Sequence, residues 1–104
     1  MFKIQPNPTF TAKVGISVPG TAKPAEIEVE FKFLKRSAVK EFWDTLTGDR
    51  KDAEALAEVI VGWKGVDQPY SPAALETLLD NYPAAARDLF NAFSNELMAS
   101  RQKN

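Results

Sequence analysis

Two stretches of the chain alternate strictly between apolar and polar residues, and no other feature narrows the choice of fold so far. From Thr9 to Val18 the apolar set is Phe10, Ala12, Val14, Ile16 and Val18, interleaved with Thr9, Thr11, Lys13, Gly15 and Ser17. From Glu26 to Phe33, the residues Ile27, Val29, Phe31 and Phe33 alternate with Glu26, Glu28, Glu30 and Lys32. A period of two, with β-branched and aromatic residues on one side, describes a strand that buries one face. Between the stretches, Pro19-Gly20 suits the centre of a type II turn, because proline fixes φ and glycine accepts a positive φ. The pattern predicts a two-stranded antiparallel hairpin over 9–34, with Pro24 limiting how far the ladder closes. Charge then separates two registers that keep the apolar residues on one face. One sets Lys13 opposite Glu30 and Phe10 opposite Phe33. The other sets Lys13 opposite Lys32, and opposed like charges disfavour it by about 0.2–1 kcal/mol, so the first is preferred.

A hairpin alone is marginal in water, so its apolar face has to lie on something else. Beyond Phe33 the spacing becomes helical. Ser37 reads as an N-cap with Leu34 anchoring the chain ahead of it, followed by Val39, Phe42, Trp43 and Leu46, with Gly48 as a stop. A second helix starts near Asp49 or Asp52 and carries Leu56, Val59, Ile60 and Trp63 on one stripe. Gly62 is placed to end it in a left-handed conformation, and Gly65 to turn the chain again. Ser71-Pro72 combines an N-cap with a proline at the first helical position. The helix it opens carries Leu75, Leu78, Leu79 and Tyr82. Pro83 disfavours a helical Tyr82 and restarts the chain in a new direction. A last helix follows with Ala86, Leu89, Phe90, Phe93 and Leu97, and with Arg101 and Lys103 near its negative end. The expected fold is α+β, one domain over 1–104. In it, the two-stranded antiparallel β-hairpin at 9–34 packs on a bundle of about four α-helices within 37–102.

Composition removes most chemistry. The 104 residues are 44% hydrophobic and 26% charged, which fits one modest core and speaks against wholesale disorder. A net charge of −1 does not favour an electrostatic grip on nucleic acid or on an anionic membrane. The chain has no cysteine and no histidine, so disulfides, thiolate metal sites, the commonest general base and the commonest metal ligand are all missing. Glu54 and Glu58 lie one helical turn apart, but on an amphipathic helix a solvated face explains them better than a catalytic pair. Capping accounts for Ser37 and Ser71 without a nucleophile. The glycines match neither a Walker loop nor a dinucleotide fingerprint. The join from Gly62 to Tyr70 is too long for a tight helix-turn-helix, and the helix after it is acidic. The basic cluster Lys35-Arg36 with Lys40 is the one rival footprint for nucleic acid, and such short runs are usually solvated surface. The expectation is therefore no catalysis, no cofactor, no metal, no small-molecule ligand, no nucleic acid and no membrane partner. The N-terminal stretch carries no apolar run long enough for a signal peptide or a span, which points to the cytoplasm.

Three segments, in this order and spacing, resemble the tail assembly chaperones of long-tailed bacteriophages. The first is Phe33-Leu34-Lys35-Arg36-Ser37-Ala38 leading to Phe42-Trp43. The second is Ile60-Val61-Gly62-Trp63-Lys64-Gly65-Val66, followed by Tyr70-Ser71-Pro72 and Leu75. The third is Leu78-Leu79-Asp80-Asn81-Tyr82-Pro83, followed by a helix with Phe90, Phe93 and Leu97 and a Lys103-Asn104 end. The connector Asp67-Gln68-Pro69 departs from the family in being short.

The resemblance implies a short-form, non-enzymatic protein of a phage or prophage, made in the bacterial host cytoplasm. It would bind the tape-measure protein and keep it soluble during tail tube assembly, with the major tail tube protein as a conceivable second partner. Open hairpin edges leave room for a homo-oligomer as well. The partner-binding residues expected from it are Val66, Tyr70, Trp63 and Trp43, since aromatics at turns and helix ends give contact area at low entropic cost. All four also read as core: Trp43 and Trp63 lie on apolar stripes, while Val66 and Tyr70 lie in the connector. Two other classes remain open from sequence, a small DNA-binding or regulatory protein of a mobile element and a structural tail component.

Overall fold

The alternating stretches form β1 (Thr9–Ile16) and β2 (Ala25–Lys32), an antiparallel pair, in a computed structural model that describes residues 1–46 and 51–98. The turn is as expected: Thr21 N–H donates to the Val18 carbonyl at 3.2 Å and Gly20 has φ +85°. The register is not. Lys13 faces Glu28, rather than Glu30, and Phe10 faces Phe31, rather than Phe33. Glutamates recur at every second position of β2, so charge rejects a Lys–Lys pairing but cannot choose among three Lys–Glu ones.

The end of the ladder makes that choice. Pro24 has no N–H to offer, and its ring lies so close over Gly15 that a Cβ there would meet Pro24 Cγ at 3.0 Å. The N–H of Ser17 is turned away to Asp88. Pairing therefore stops at Ile16↔Ala25, and Phe33 falls past the end of β2, where its N–H donates to the Pro8 carbonyl at 2.9 Å.

A third strand corrects the helical reading of the middle of the chain. Helix α1 (Arg36–Leu46) is followed by α2 (Asp52–Val59), and the chain then runs directly into β3 (Ile60–Lys64), antiparallel to β2. The sheet order is β1-β2-β3. Ile60 is extended at φ −95° and ψ 128°, so Ile60 and Trp63 belong to a strand and not to a helical stripe. Gly62 has no positive φ and faces Glu30 across the sheet, whereas Gly65 turns the chain at φ +86°. Val59-Ile60-Val61 is a β-branched run, which strands accept more readily than helices do. The partner edge on β2 tips the balance. Val61 is the additional residue of a bulge opposite Glu30 and Phe31.

Helix α3 (Pro72–Asn81) starts as predicted, with Ser71 Oγ accepting from Ala74 N–H at 3.0 Å and Pro72 at the first position. Tyr82 leaves the helical region at φ −124°, ψ 100°, and α4 (Ala85–Leu97) follows. Ser37 is not a cap. α1 already begins at Arg36, the Lys35 carbonyl accepts from Val39 N–H, and Ser37 is exposed within the first turn. Gly48, Asp49, Arg101 and Lys103 lie outside the described residues.

The core lies between one face of the sheet and the helices. Ala12, Val14 and Ile16 of β1, Ile27, Val29 and Phe31 of β2, and Ile60 of β3 are buried on it. Leu56 and Val59 of α2, Leu75 of α3, and Leu89 and Phe93 of α4 close it from the other side. Phe93 is its aromatic centre, with ring centroids 5.2 Å from Phe31, 5.7 Å from Phe42 and 6.0 Å from Phe10. The opposite face of the sheet carries the charged residues, and Glu28 there is flanked by Lys13 on one neighbouring strand and Lys64 on the other. That arrangement places opposite charges side by side in a row across three strands.

Candidate partner-binding site

The end of β3 and the connector after it build one compact aromatic corner. Gly65 reverses the chain, so the connector runs back beside Trp63. The indole Nε1–H of Trp63 donates to the Gln68 carbonyl at 2.8 Å. The Tyr70 ring meets the indole edge-on, with centroids 5.1 Å apart and planes at 84°. Trp63 is thus held from two directions by the segment that follows it. Val66 is half-buried in the same corner, against a cleft whose far wall is α3 and the residue after it: Ala74, Thr77, Leu78, Asn81 and Tyr82. The cleft holds about 210 Å³, and Asp67 and Gln68 line it too, so with Thr77 and Asn81 its wall is as much polar as apolar.

Three of the four expected residues, Trp63, Val66 and Tyr70, therefore come together, and two of them, Trp63 and Val66, line the cleft. Trp43 does not join them. It lies on α1, where its ring packs against Phe42 at 5.4 Å and Phe90 of α4 at 6.0 Å, half-buried at the margin of the core. The Tyr70 hydroxyl is buried with no hydrogen-bond partner among the described residues, and burial raises its pKa above the ordinary 10.0.

A second concavity went unread in the sequence. It lies where the β2–α1 connection and α1 approach the end of α4, encloses about 490 Å³, and is lined by Phe33, Leu34, Arg36, Val39, Lys40, Leu97 and Met98. Alternation places Phe33 on the buried face of a strand; with β2 ending at Lys32 it lies outside the sheet and is 38% exposed, and Met98 is 63% exposed. Register is the signal that would have found it, and register was the uncertain part of the pattern. Among the described residues, no helix is long and apolar enough to cross a membrane.

No curated protein and no solved structure matches the chain. A family model does: the one described as phage tail assembly chaperone covers residues 1–104, the full sequence, and the protein belongs to that family.

Proposed function

We propose that the protein is a non-enzymatic chaperone that binds the tape-measure protein in the cytoplasm of the infected or lysogenic bacterium. It keeps that protein soluble until tail tube subunits take it over by polymerising around it. A tape measure is long and helical, and its apolar stripes need cover before assembly. The observation that supports this reading is the cleft beside the aromatic corner, where Trp63, Val66, Leu78 and Tyr82 stand among the polar side chains of Asp67, Gln68, Thr77 and Asn81. A recess of about 210 Å³ takes an anchoring side chain or two from a helix laid across it. The contacts that hold Trp63 in place reduce the ordering cost of binding.

Co-expression with the tape-measure polypeptide of the same phage tests the reading. Soluble yield of the tape measure should rise and the two should co-purify. Val66→Asp, placed at a half-buried position of the connector, should abolish co-purification while leaving the circular dichroism spectrum unchanged. If the wild-type chain gives neither solubility nor co-purification, the chaperone reading fails. If Val66→Asp still captures the tape measure, the cleft is the wrong surface.

A further inference from the structure

The basic cluster singled out in the sequence, Lys35-Arg36 with Lys40, has no part in the cleft. The structure gives it a setting. Arg36 and Lys40 lie one turn apart on α1 and both line the second groove, together with the apolar side chains of Phe33, Val39, Leu97 and Met98. Both cations are exposed, and no carboxylate lines the groove among the described residues. The groove thus combines an apolar floor and lip with charge of a single sign.

We propose that this groove is a second docking site, separate from the tape-measure cleft, for an amphipathic helix whose apolar anchors are flanked by acidic residues. Two apolar side chains one turn apart fit the recess between Val39, Leu97 and the exposed Phe33 and Met98. Carboxylates beside them meet Arg36 and Lys40. Charge also argues against the chain's own segment before β1 as the occupant. The segment before β1 exposes Phe2 at 91% and Ile4 at 88%, but its charged side chain is Lys3. That segment would bring a cation to cations. Concavity argues for a helix rather than an anionic lipid surface, which is met by protruding apolar side chains.

Titration of the full chain with a synthetic helical peptide tests the proposal. The probe has leucines at i, i+3, i+4 and i+7 with flanking glutamates, and its counterpart carries lysines at the flanking positions. The glutamate peptide should bind at least about threefold more tightly at low salt, and the difference should shrink as salt is added. Double reversal, Arg36→Glu with Lys40→Glu, should invert the preference, and both positions are exposed on α1, so the fold is spared. Val39→Asp should weaken both peptides. Equal affinity for the two peptides, or an unchanged preference after reversal, overturns the proposal. So does sedimentation with phosphatidylglycerol vesicles that is lost on reversal while neither peptide binds. The tape measure takes no part in these measurements, so they stand or fall separately from the chaperone reading.

Discussion

The backbone N–H of Ser17 donates to a carboxylate oxygen of Asp88 at 2.8 Å, across 71 positions of sequence. The bond ties the end of β1 to the first turn of α4. It satisfies a donor that the strand ladder has left behind, and it places a negative charge where the helix dipole favours one. Asp88→Ala removes both effects and should cost about 1–2 kcal/mol. Asp88→Asn, which keeps an acceptor, should cost less. Urea denaturation of the two variants beside wild type checks the order.

Tyr70 gives a prediction of opposite sign. Its hydroxyl is buried and has no partner among the described residues, so removing it takes away a desolvated polar group and no hydrogen bond to any of them. Tyr70→Phe should be neutral or raise stability by up to about 1 kcal/mol. The same burial raises the folded-state pKa above 10.0. Below that value the phenol is neutral in both states, and the chain keeps its full stability. As pH rises above it, the unfolded chain loses the proton first, and stability falls until the folded-state pKa is passed. Denaturation midpoints between about pH 9 and 11.5 should therefore decline less in Tyr70→Phe than in wild type.

Two glycines near the aromatic corner should respond differently to alanine. Gly65 is left-handed at φ +86°, and Gly65→Ala should cost about 1–2 kcal/mol from backbone strain. Gly62 has no positive φ, and a Cβ there would meet nothing within 4 Å. Gly62→Ala should be neutral or stabilise by about 0.4–1 kcal/mol, by narrowing the unfolded ensemble. Thermal melts of the pair would separate the strand position from the turn.

Phe93 should be the costliest single truncation. Fully buried against Phe10, Phe31 and Phe42, it joins α4 to both strands of the hairpin and to α1. Phe93→Ala should lose about 3–5 kcal/mol, a large share of the stability of a domain this size. Phe93→Leu, which refills most of the space, should lose markedly less in the same calorimetric experiment.

The hairpin, its type II turn, α3 with its Ser71 cap, the break at Tyr82-Pro83 and the stripe of α4 were all legible, because each rests on local chemistry. What escaped was set by distant partners. Ile60-Val61-Gly62-Trp63 fits a helical stripe and a strand alike, and an open edge on β2 decides between them. The spacing of Glu26, Glu28 and Glu30 leaves the register degenerate, and Pro24, Gly15 and Asp88 settle it. The aromatic corner was half legible: Trp63, Val66 and Tyr70 were named, but nothing local showed that Leu78 and Tyr82 would face Trp63 and Val66 across a cleft. The second groove was missed because Phe33 counts as a sheet residue in any register that pairs it.

Because β2 lies between β1 and β3, the sheet cannot be completed on the ribosome until Lys64 has emerged. Its apolar face waits longer still, for Leu89 and Phe93 of α4. Local pieces can form early, but the first strand and the last described helix are stitched together only late, by Ser17 with Asp88 and by Phe10 with Phe93. Vectorial synthesis therefore leaves the nascent hairpin greasy on one side for most of its production. A protein of the chaperone family begins life as the kind of sticky, half-made chain that chaperones exist to hold.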